Sequence, residues 1–314
     1  MTLSGPEVAR LLREHHITPR RALGQNFVTD PNTVRRVARL AGVGPGDRVV
    51  EVGAGLGSLT LALAETGAAV TAVERDRAIV AVLWEVLAEK APGAAVRVVE
   101  ADAMGLDWNA LLQPPTGWVL VANLPYNIAT PLVATLLDNV PQVERMLVMV
   151  QREVAERLAA GPGSPAYGAV SVKVAYWAEA ELLGPVPASV FVPRPRVASA
   201  LVRLKRRPAP AVAPEVVPAE QLFSLVRAGF AQRRKMLRRA LAGLGLPEDV
   251  WSAAGIDGEL RAEQLSVSDW GRFAGALAGA LAGAGGRAGR ARPSRRPGPA
   301  RRTGASTREG VGPL

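Results

Sequence analysis

Val49-Val50-Glu51-Val52-Gly53-Ala54-Gly55-Leu56-Gly57 decides the fold. A short β-branched run that breaks into closely spaced glycines, with a helical segment over 59–65 behind it, reads as a strand feeding a tight turn into a helix. Glycines there let the backbone pass close to a bound nucleoside, and the N-terminus of the following helix faces the ligand. The spacing is G-x-G-x-G, not the G-x-G-x-x-G of dinucleotide folds, so no pyrophosphate is required.

Working outward, apolar runs over 49–52, 70–73, 96–99, 119–122 and 146–150 alternate with helical segments over 59–65, 77–90, 131–138 and 151–159. That alternation predicts an α/β fold with a doubly wound, parallel sheet and helices on both faces. Residues 169–177 and 198–205 read as two further strands, added antiparallel at the sheet edge. Before the first strand, 5–13 reads as a short helix, and Asp30-Pro31 starts another whose apolar stripe is Val34, Val37, Ala38 and Ala41. The Pro/Ala-rich stretch 208–218 reads as a linker. Residues 219–284 are helical in period, with breaks at 243–247 and 255–258, and 285–314 is a Gly/Arg/Pro/Ser-rich tail expected to be disordered. The expected division is therefore 1–207, a linker over 208–218, a small helical domain over 219–284, and the tail.

The 314 residues, 48% of them apolar, suffice for one large domain and a smaller one. With no cysteine there are no disulfides or thiolate metal sites, and with only His15 and His16 no histidine metal cluster is expected. The first residues lack a signal-peptide core, and the small-residue stretch 273–284 is too short to span a bilayer, so a soluble cytoplasmic protein is expected. The net charge of +10 is uneven: the last 30 residues hold eight arginines against Glu309 alone.

The strand ends carry the chemistry. Glu74 ends the second predicted strand, 21 positions after Gly53, where a carboxylate can accept both hydroxyls of a ribose. Asp102 follows the third strand, placed to reach an adenine amino group. Asn123-Leu124-Pro125-Tyr126 follows the run Val119-Leu120-Val121-Ala122. Asn123 offers an acceptor, Pro125 stiffens the turn, and Tyr126 offers a flat face, which together make a pocket for an exocyclic amine on an aromatic ring. Each acid alone is equally a solvated strand-end residue; the glycine turn, Glu74 and Asp102 at three successive strand ends weigh against that account.

Gly24-Gln25-Asn26-Phe27, Glu51 to Gly57, Glu74, Asp102 and Asn123-Leu124-Pro125-Tyr126 together resemble the ribosomal RNA adenine N6,N6-dimethyltransferase family. Tyr167-Gly168-Ala169-Val170-Ser171-Val172, Val190-Phe191-Val192-Pro193 and Phe230-Ala231-Gln232-Arg233-Arg234-Lys235 extend the resemblance over about 15–275 and favour its bacterial small-subunit type. Val28 stands where the family usually has Leu, and Arg194 and Ala198 where it often has Pro and Asp. The resemblance implies a Rossmann-like S-adenosylmethionine-dependent methyltransferase that dimethylates two adjacent adenosines near the 3′ end of 16S rRNA during small-subunit biogenesis. It implies a cofactor site of Asn26, Val28, Gly53, Gly55, Glu74, Asp102 and Asn123, with Asn123, Leu124, Pro125 and Tyr126 at the reacting base.

Arg233, Arg234, Lys235, Arg238 and Arg239 are expected on one helix beside the pocket, with Phe230, Met236, Leu237 and Leu241 packing and the cations on rRNA phosphates. The expected partner is 16S rRNA in the small subunit or its precursor, and a monomer without metal is the default. A 23S rRNA adenine N6-methyltransferase conferring macrolide resistance shares the cofactor motifs, but the segments 23–26, 191–199 and 230–235 are closer to the small-subunit type. A non-catalytic ribosome-assembly factor is disfavoured by the intact tetrad and both cofactor acids.

Overall fold

In the computed structural model, which describes residues 2–20, 24–114 and 116–288, the local signals act much as the sequence reads. Helix α1 (Gly5–Glu14) starts where the Glu7 carboxylate accepts from the Ser4 N–H and hydroxyl. The two-residue strand β1 (Phe27–Val28) leads to α2 (Pro31–Ala41), whose Asp30 cap accepts from the Asn32 and Thr33 N–H groups. Then come β2 (Arg48–Val52), α3 (Ser58–Ala64), β3 (Ala69–Glu74), α4 (Arg77–Lys90), β4 (Val96–Glu100), the short α5 (Trp108–Leu111), β5 (Trp118–Asn123), α6 (Ala129–Asn139), β6 (Val143–Gln151) and α7 (Arg152–Leu158).

The chain continues through α8 (Ala169–Trp177), β7 (Ala178–Val186), β8 (Phe191–Val192) and β9 (Ser199–Arg206). The main sheet has the order β4-β3-β2-β5-β6-β9-β7, while β1 and β8 form a separate antiparallel pair. Strands β2 to β6 are mutually parallel; β9 runs antiparallel to β6, and β7 antiparallel to β9. Alternate residues of the buried strands serve opposite faces. Val50, Val52, Leu120 and Val148 pack against α6 and α7, whereas Val49, Val119, Val121 and Leu147 pack against α2 and α3.

Residues 169–177 are a helix, not the strand that their alternation suggests. Helix α8 lies between two cores, with Val170 and Val174 facing the sheet and Val172 and Tyr176 facing the helices that follow. Being apolar on both sides, it lacks an amphipathic stripe, and its β-branched residues mimic a strand. Ser171 settles the matter locally: its hydroxyl accepts from the Gly168 N–H and donates to the Arg157 carbonyl, fixing the first turn.

Past β9, residues 208–218 are irregular but not free, since Val212 and Val217 are buried in the second core and the Ala211 N–H bonds the Tyr176 carbonyl. That core is built by α9 (Ala219–Ala231), α10 (Leu237–Ala240), α11 (Asp249–Ala254) and α12 (Val267–Ala288). Gly229 lets α9 and α12 touch, because a Cβ there would lie 2.5 Å from the Trp270 ring.

Three further expectations are corrected. Helix α12 runs to Ala288, past the expected start of the tail at 285; the remainder, 289–314, lies outside the described residues. The basic run does not lie on one helix: α9 ends at Ala231, residues 232–235 turn, and α10 begins at Leu237. The turn is drawn off the helical path by the segment 258–261, whose Leu260 and Gly258 carbonyls accept from the Leu237 and Arg238 N–H groups. Met236, expected to pack, is exposed. No helix among the described residues is long and apolar enough to cross a membrane.

Candidate functional site

Strand β2 has β3 on one side and β5 on the other, so the chain reverses its direction of winding between β2 and β5. The crevice at the carboxyl ends of such strands is where open α/β sheets bind ligands. A cleft of about 600 Å³, its open mouth included, lies there. Gly24, Gln25, Asn26, Gly53, Gly55, Glu74, Asp102, Asn123 and Pro125 are among its walls, so residues expected from five separate stretches of sequence meet in one place.

One wall is made by β3 and the turn after β2. The Glu74 carboxylate is buried and accepts three backbone N–H groups, from Gly55 at 3.0 Å, Arg75 at 2.9 Å and Asp76 at 3.0 Å. Burial raises its pKa above the ordinary carboxylate value, against the pull of those three donors. Gly55 has φ +58°, and a Cβ there would press within 3.1 Å of the Phe27 ring, so only glycine holds this turn under the strand that covers it. Asp102 is half-exposed at the rim on the same side, past β4, where it accepts from the Met104 N–H and pairs with Arg75 at 3.3 Å.

The other wall is the end of β5. The Asn123 Nδ2 donates to the Asn26 carbonyl at 3.0 Å. A carbonyl can only accept, so this bond fixes which way the amide faces and leaves Oδ1 as its unengaged acceptor. Asn26 is held in turn by donation from its own Nδ2 to the Gly24 carbonyl at 3.1 Å. Leu124 is buried, its N–H bonded to the Met149 carbonyl, and no donor among the described residues reaches its own carbonyl. The end of β5 thus presents two acceptors with no internal partner.

Three expected residues do not line the cleft itself: Leu124, buried behind it with only its carbonyl unpartnered among the described residues, and Tyr126 and Val28. Tyr126 does not line the cleft; it is half-buried beside it, with its hydroxyl 2.8 Å from the Ser199 hydroxyl, and burial raises its pKa. Val28 lines a smaller compartment of about 310 Å³ behind the glycine turn, which shares Asn26, Gly53, Gly55 and Asn123 with the main cleft. Among the described residues no group of three or more His, Cys, Asp or Glu side chains is placed to hold a metal ion.

Glu51 borders that second compartment; it belongs to the glycine motif but has no role assigned from the sequence, although a carboxylate inside an apolar parallel strand is the signal that would have found one. It is 1% exposed, accepts from the Thr60 hydroxyl at 2.6 Å, and so ties β2 to α3 beneath the turn. Burial pushes its pKa up from 4.5 to about 8. The folded chain therefore retains a proton that the unfolded chain releases above 4.5, and stability falls as pH rises between those two values. The melting temperature of the cofactor-free protein, followed by calorimetry, is expected to drop between about pH 5 and about pH 8, and Glu51→Gln to flatten much of that slope. An equally steep profile in the variant would assign the dependence to other groups.

The five basic residues divide into two kinds. Arg233 is engaged with Glu263 at 2.6 Å and the Pro165 carbonyl at 2.5 Å, and Arg238 with Glu248 at 2.5 Å and the face of Trp251. Arg234, Lys235 and Arg239 have no such partners among the described residues and line an open recess with Arg261 and Glu259.

The family model of ribosomal RNA adenine dimethylase matches residues 17–278. The chain is 50% identical over 288 residues to ribosomal RNA small subunit methyltransferase A of Kineococcus radiotolerans, covering 90% of this chain and 94% of that one. It is 48% identical over 278 residues to the protein of the same name from Thermobifida fusca, covering 87% and 95%. Among solved structures, the 23S rRNA methyltransferase ErmE superposes with a TM-score of 0.63 at 27% identity, over 81% of this chain and all of that one. A dimethyladenosine transferase from Plasmodium falciparum superposes with a TM-score of 0.66 at 22% identity, over 79% and 95%, a likeness of fold.

Proposed function

The chain belongs to the ribosomal RNA adenine dimethylase family, and we propose that it dimethylates N6 of two adjacent adenosines in the 3′-terminal hairpin of 16S rRNA while the small subunit is built. The likeness to the small-subunit enzymes, at about half the residues, exceeds that to the 23S rRNA methyltransferase. S-adenosylmethionine, when bound, supplies a methyl group already activated by its positive sulfur. The cleft suits that cofactor: Glu74 faces it with a carboxylate for ribose hydroxyls, Asp102 stands at the rim for an amino group, and Gly53 and Gly55 line it with backbone. Asn26 and Val28 would hold it from the side of β1.

The observation that carries the mechanism is the committed Asn123 amide. Adenine N6 is a poor nucleophile because its lone pair is delocalised into the ring. The Asn123 Oδ1 and the Leu124 carbonyl accept the two N6 hydrogens, localise the lone pair and aim it at the methyl. Positioning does the work and no strong base is required. Pro125 fixes the turn, and Tyr126 stacks on the base once it has left its helix. In this reading residues 1–207 form the methyltransferase domain and 219–284 an rRNA-contacting helical domain joined by 208–218, and the chain acts as a cytoplasmic monomer without a metal.

The direct test supplies labelled S-adenosylmethionine to small subunits lacking the dimethyladenosines and identifies the products by mass spectrometry. N6,N6-dimethyladenosine at the 3′-terminal hairpin is expected; label only on naked 23S rRNA overturns the reading, and no label on either would leave a binding role alone.

For the RNA surface, the cations with no internal partner matter most. Replacing Arg234, Lys235 and Arg239 together by alanine is expected to weaken subunit binding about 10- to 100-fold and to reduce the slope of log affinity against log salt by about 2 to 3. Arg233→Ala, which removes an internal tie to Glu263, should lower the melting temperature more than the affinity. Equal effects of all four on affinity at unchanged salt slope would remove the recess from the interface.

A further inference from the structure

Ser199 is the first residue of β9 and is fully buried. Because β9 runs antiparallel to the parallel core, its first residue lies at the edge where the parallel strands end. Ser199 pairs with Gln151, the last residue of β6, and with Val186, the last of β7. From there its hydroxyl meets that of Tyr126 at 2.8 Å, across 73 positions of sequence. Among the described residues neither hydroxyl makes any other side-chain hydrogen bond. A buried serine at a strand start has no need to reach the tetrad for the sheet's sake, since its backbone is already paired on both sides.

We infer that Ser199 is a positioning residue for Tyr126 and sets how far methylation proceeds, favouring the dimethyl over the monomethyl product. This rests on the reading of Tyr126 as the platform for the target adenine. A tyrosine hydroxyl lies on the axis about which its ring spins, so a bond at that atom fixes the direction of the ring axis while packing fixes the rotation about it. Tyr126 is thereby anchored at both ends, by the turn after β5 and by Ser199.

The two transfers make different demands on that anchor. In the first, N6 carries two hydrogens, and the Asn123 Oδ1 and Leu124 carbonyl hold both. The methyl moves from sulfur to nitrogen, one N–H proton leaves to solvent, and the cofactor departs neutral at sulfur. In the second, N6-methyladenine has a single N–H, so one acceptor loses its partner and the base is held correspondingly less by polar contacts. Stacking then carries more of the orientation, and an untethered platform costs more.

The test follows both products over time on small subunits lacking the modification, with wild type, Ser199→Ala, Tyr126→Phe, the double variant and Ser199→Thr. Ser199→Ala is expected to slow the second transfer about 10-fold and the first less than about 3-fold, so that N6-methyladenosine accumulates. Tyr126→Phe removes the same bond from the other side and keeps the ring, so it should give the same product ratio, with the double variant no worse than either. Ser199→Thr, which keeps the hydroxyl, should restore the dimethyl product. KM for subunits should be nearly unchanged, since the effect falls on the second chemical step. Equal slowing of both transfers in Ser199→Ala would mark a purely structural role and overturn the inference, as would a wild-type ratio in either single variant. Failure of the wild type to form any methyladenosine would instead overturn the reading beneath it, and this inference with it.

Discussion

Asn123→Ala is expected to lower methyl transfer by about 100- to 1000-fold, the range found when one preorganised polar group is removed from a reacting centre. The amide does two things at once. Its Nδ2 holds the segment before β1 through the Asn26 carbonyl, and its Oδ1 is left as an acceptor at the end of β5. Asn123→Asp separates these. Aspartate keeps acceptor oxygens but places a negative charge against the Asn26 carbonyl, to which it cannot donate. If acceptance alone mattered, aspartate would retain much of the rate; because orientation depends on the donated bond, aspartate is expected to be nearly as slow as alanine. Subunit affinity should change by less than about threefold in both, since the unpaired cations lie in a different part of the chain. A fast aspartate variant would show that the tie to Asn26 is dispensable and that the amide acts only through its oxygen.

The parallel sheet and the chemistry at its strand ends were legible because local signals agreed with the fold. Runs of valine and leucine ended in glycine, acid or asparagine, and each such end fell at the carboxyl edge where a ligand cleft forms. The helix over 169–177 was not legible, for Val170 and Val174 serve one core and Val172 and Tyr176 another. A segment buried on two sides has no polar face to mark its period. The edge strand β7 was hidden for a related reason: it follows α8 without a turn signal and carries Glu179, Glu181, Gly184 and Pro185, residues depleted in strands but suited to an unpaired edge.

The basic run shows a different limit. Phe230 to Leu241 reads as one helix because Arg, Lys, Met and Leu all favour helices. The turn at 232–235 comes from pairing with 258–261, a contact that no window of local sequence contains. It decides which cations remain available, since Arg233 turns inward to Glu263 while Arg234 and Lys235 face the recess. The site itself was visible as a set of residue types; what was missing was its second layer, Glu51 under the turn and Ser199 behind Tyr126, both buried polar residues inside strands. Such residues are rare in apolar runs, and a buried polar group needs a partner, so they point to neighbours that the sequence does not name.

Glu74→Gln is expected to weaken cofactor binding about 100-fold, some 2.7 kcal/mol. The two side chains have nearly the same shape, so the loss comes from hydrogen-bond polarity. One carboxylate oxygen accepts from the Arg75 and Asp76 N–H groups and the other from Gly55. Glutamine has one acceptor oxygen, and its NH2 must face either the Gly55 donor or the other two, setting donor against donor in a buried place. The glycine turn is then released at the point where the cofactor passes, and an acceptor for the ribose is lost as well. Because Glu74 lies apart from the reacting nitrogen, turnover at saturating cofactor should recover to within about tenfold of wild type. Titration calorimetry with S-adenosylmethionine separates the two effects. It also reads out the charge: burial holds the Glu74 pKa above 4.5, so acidification protonates it earlier than an ordinary carboxylate. Cofactor affinity of the wild type should therefore decline as pH falls toward that range, and the glutamine variant should lack that part of the decline. A variant that binds as tightly as wild type, or declines with pH in the same way, would place the ribose contact on another group.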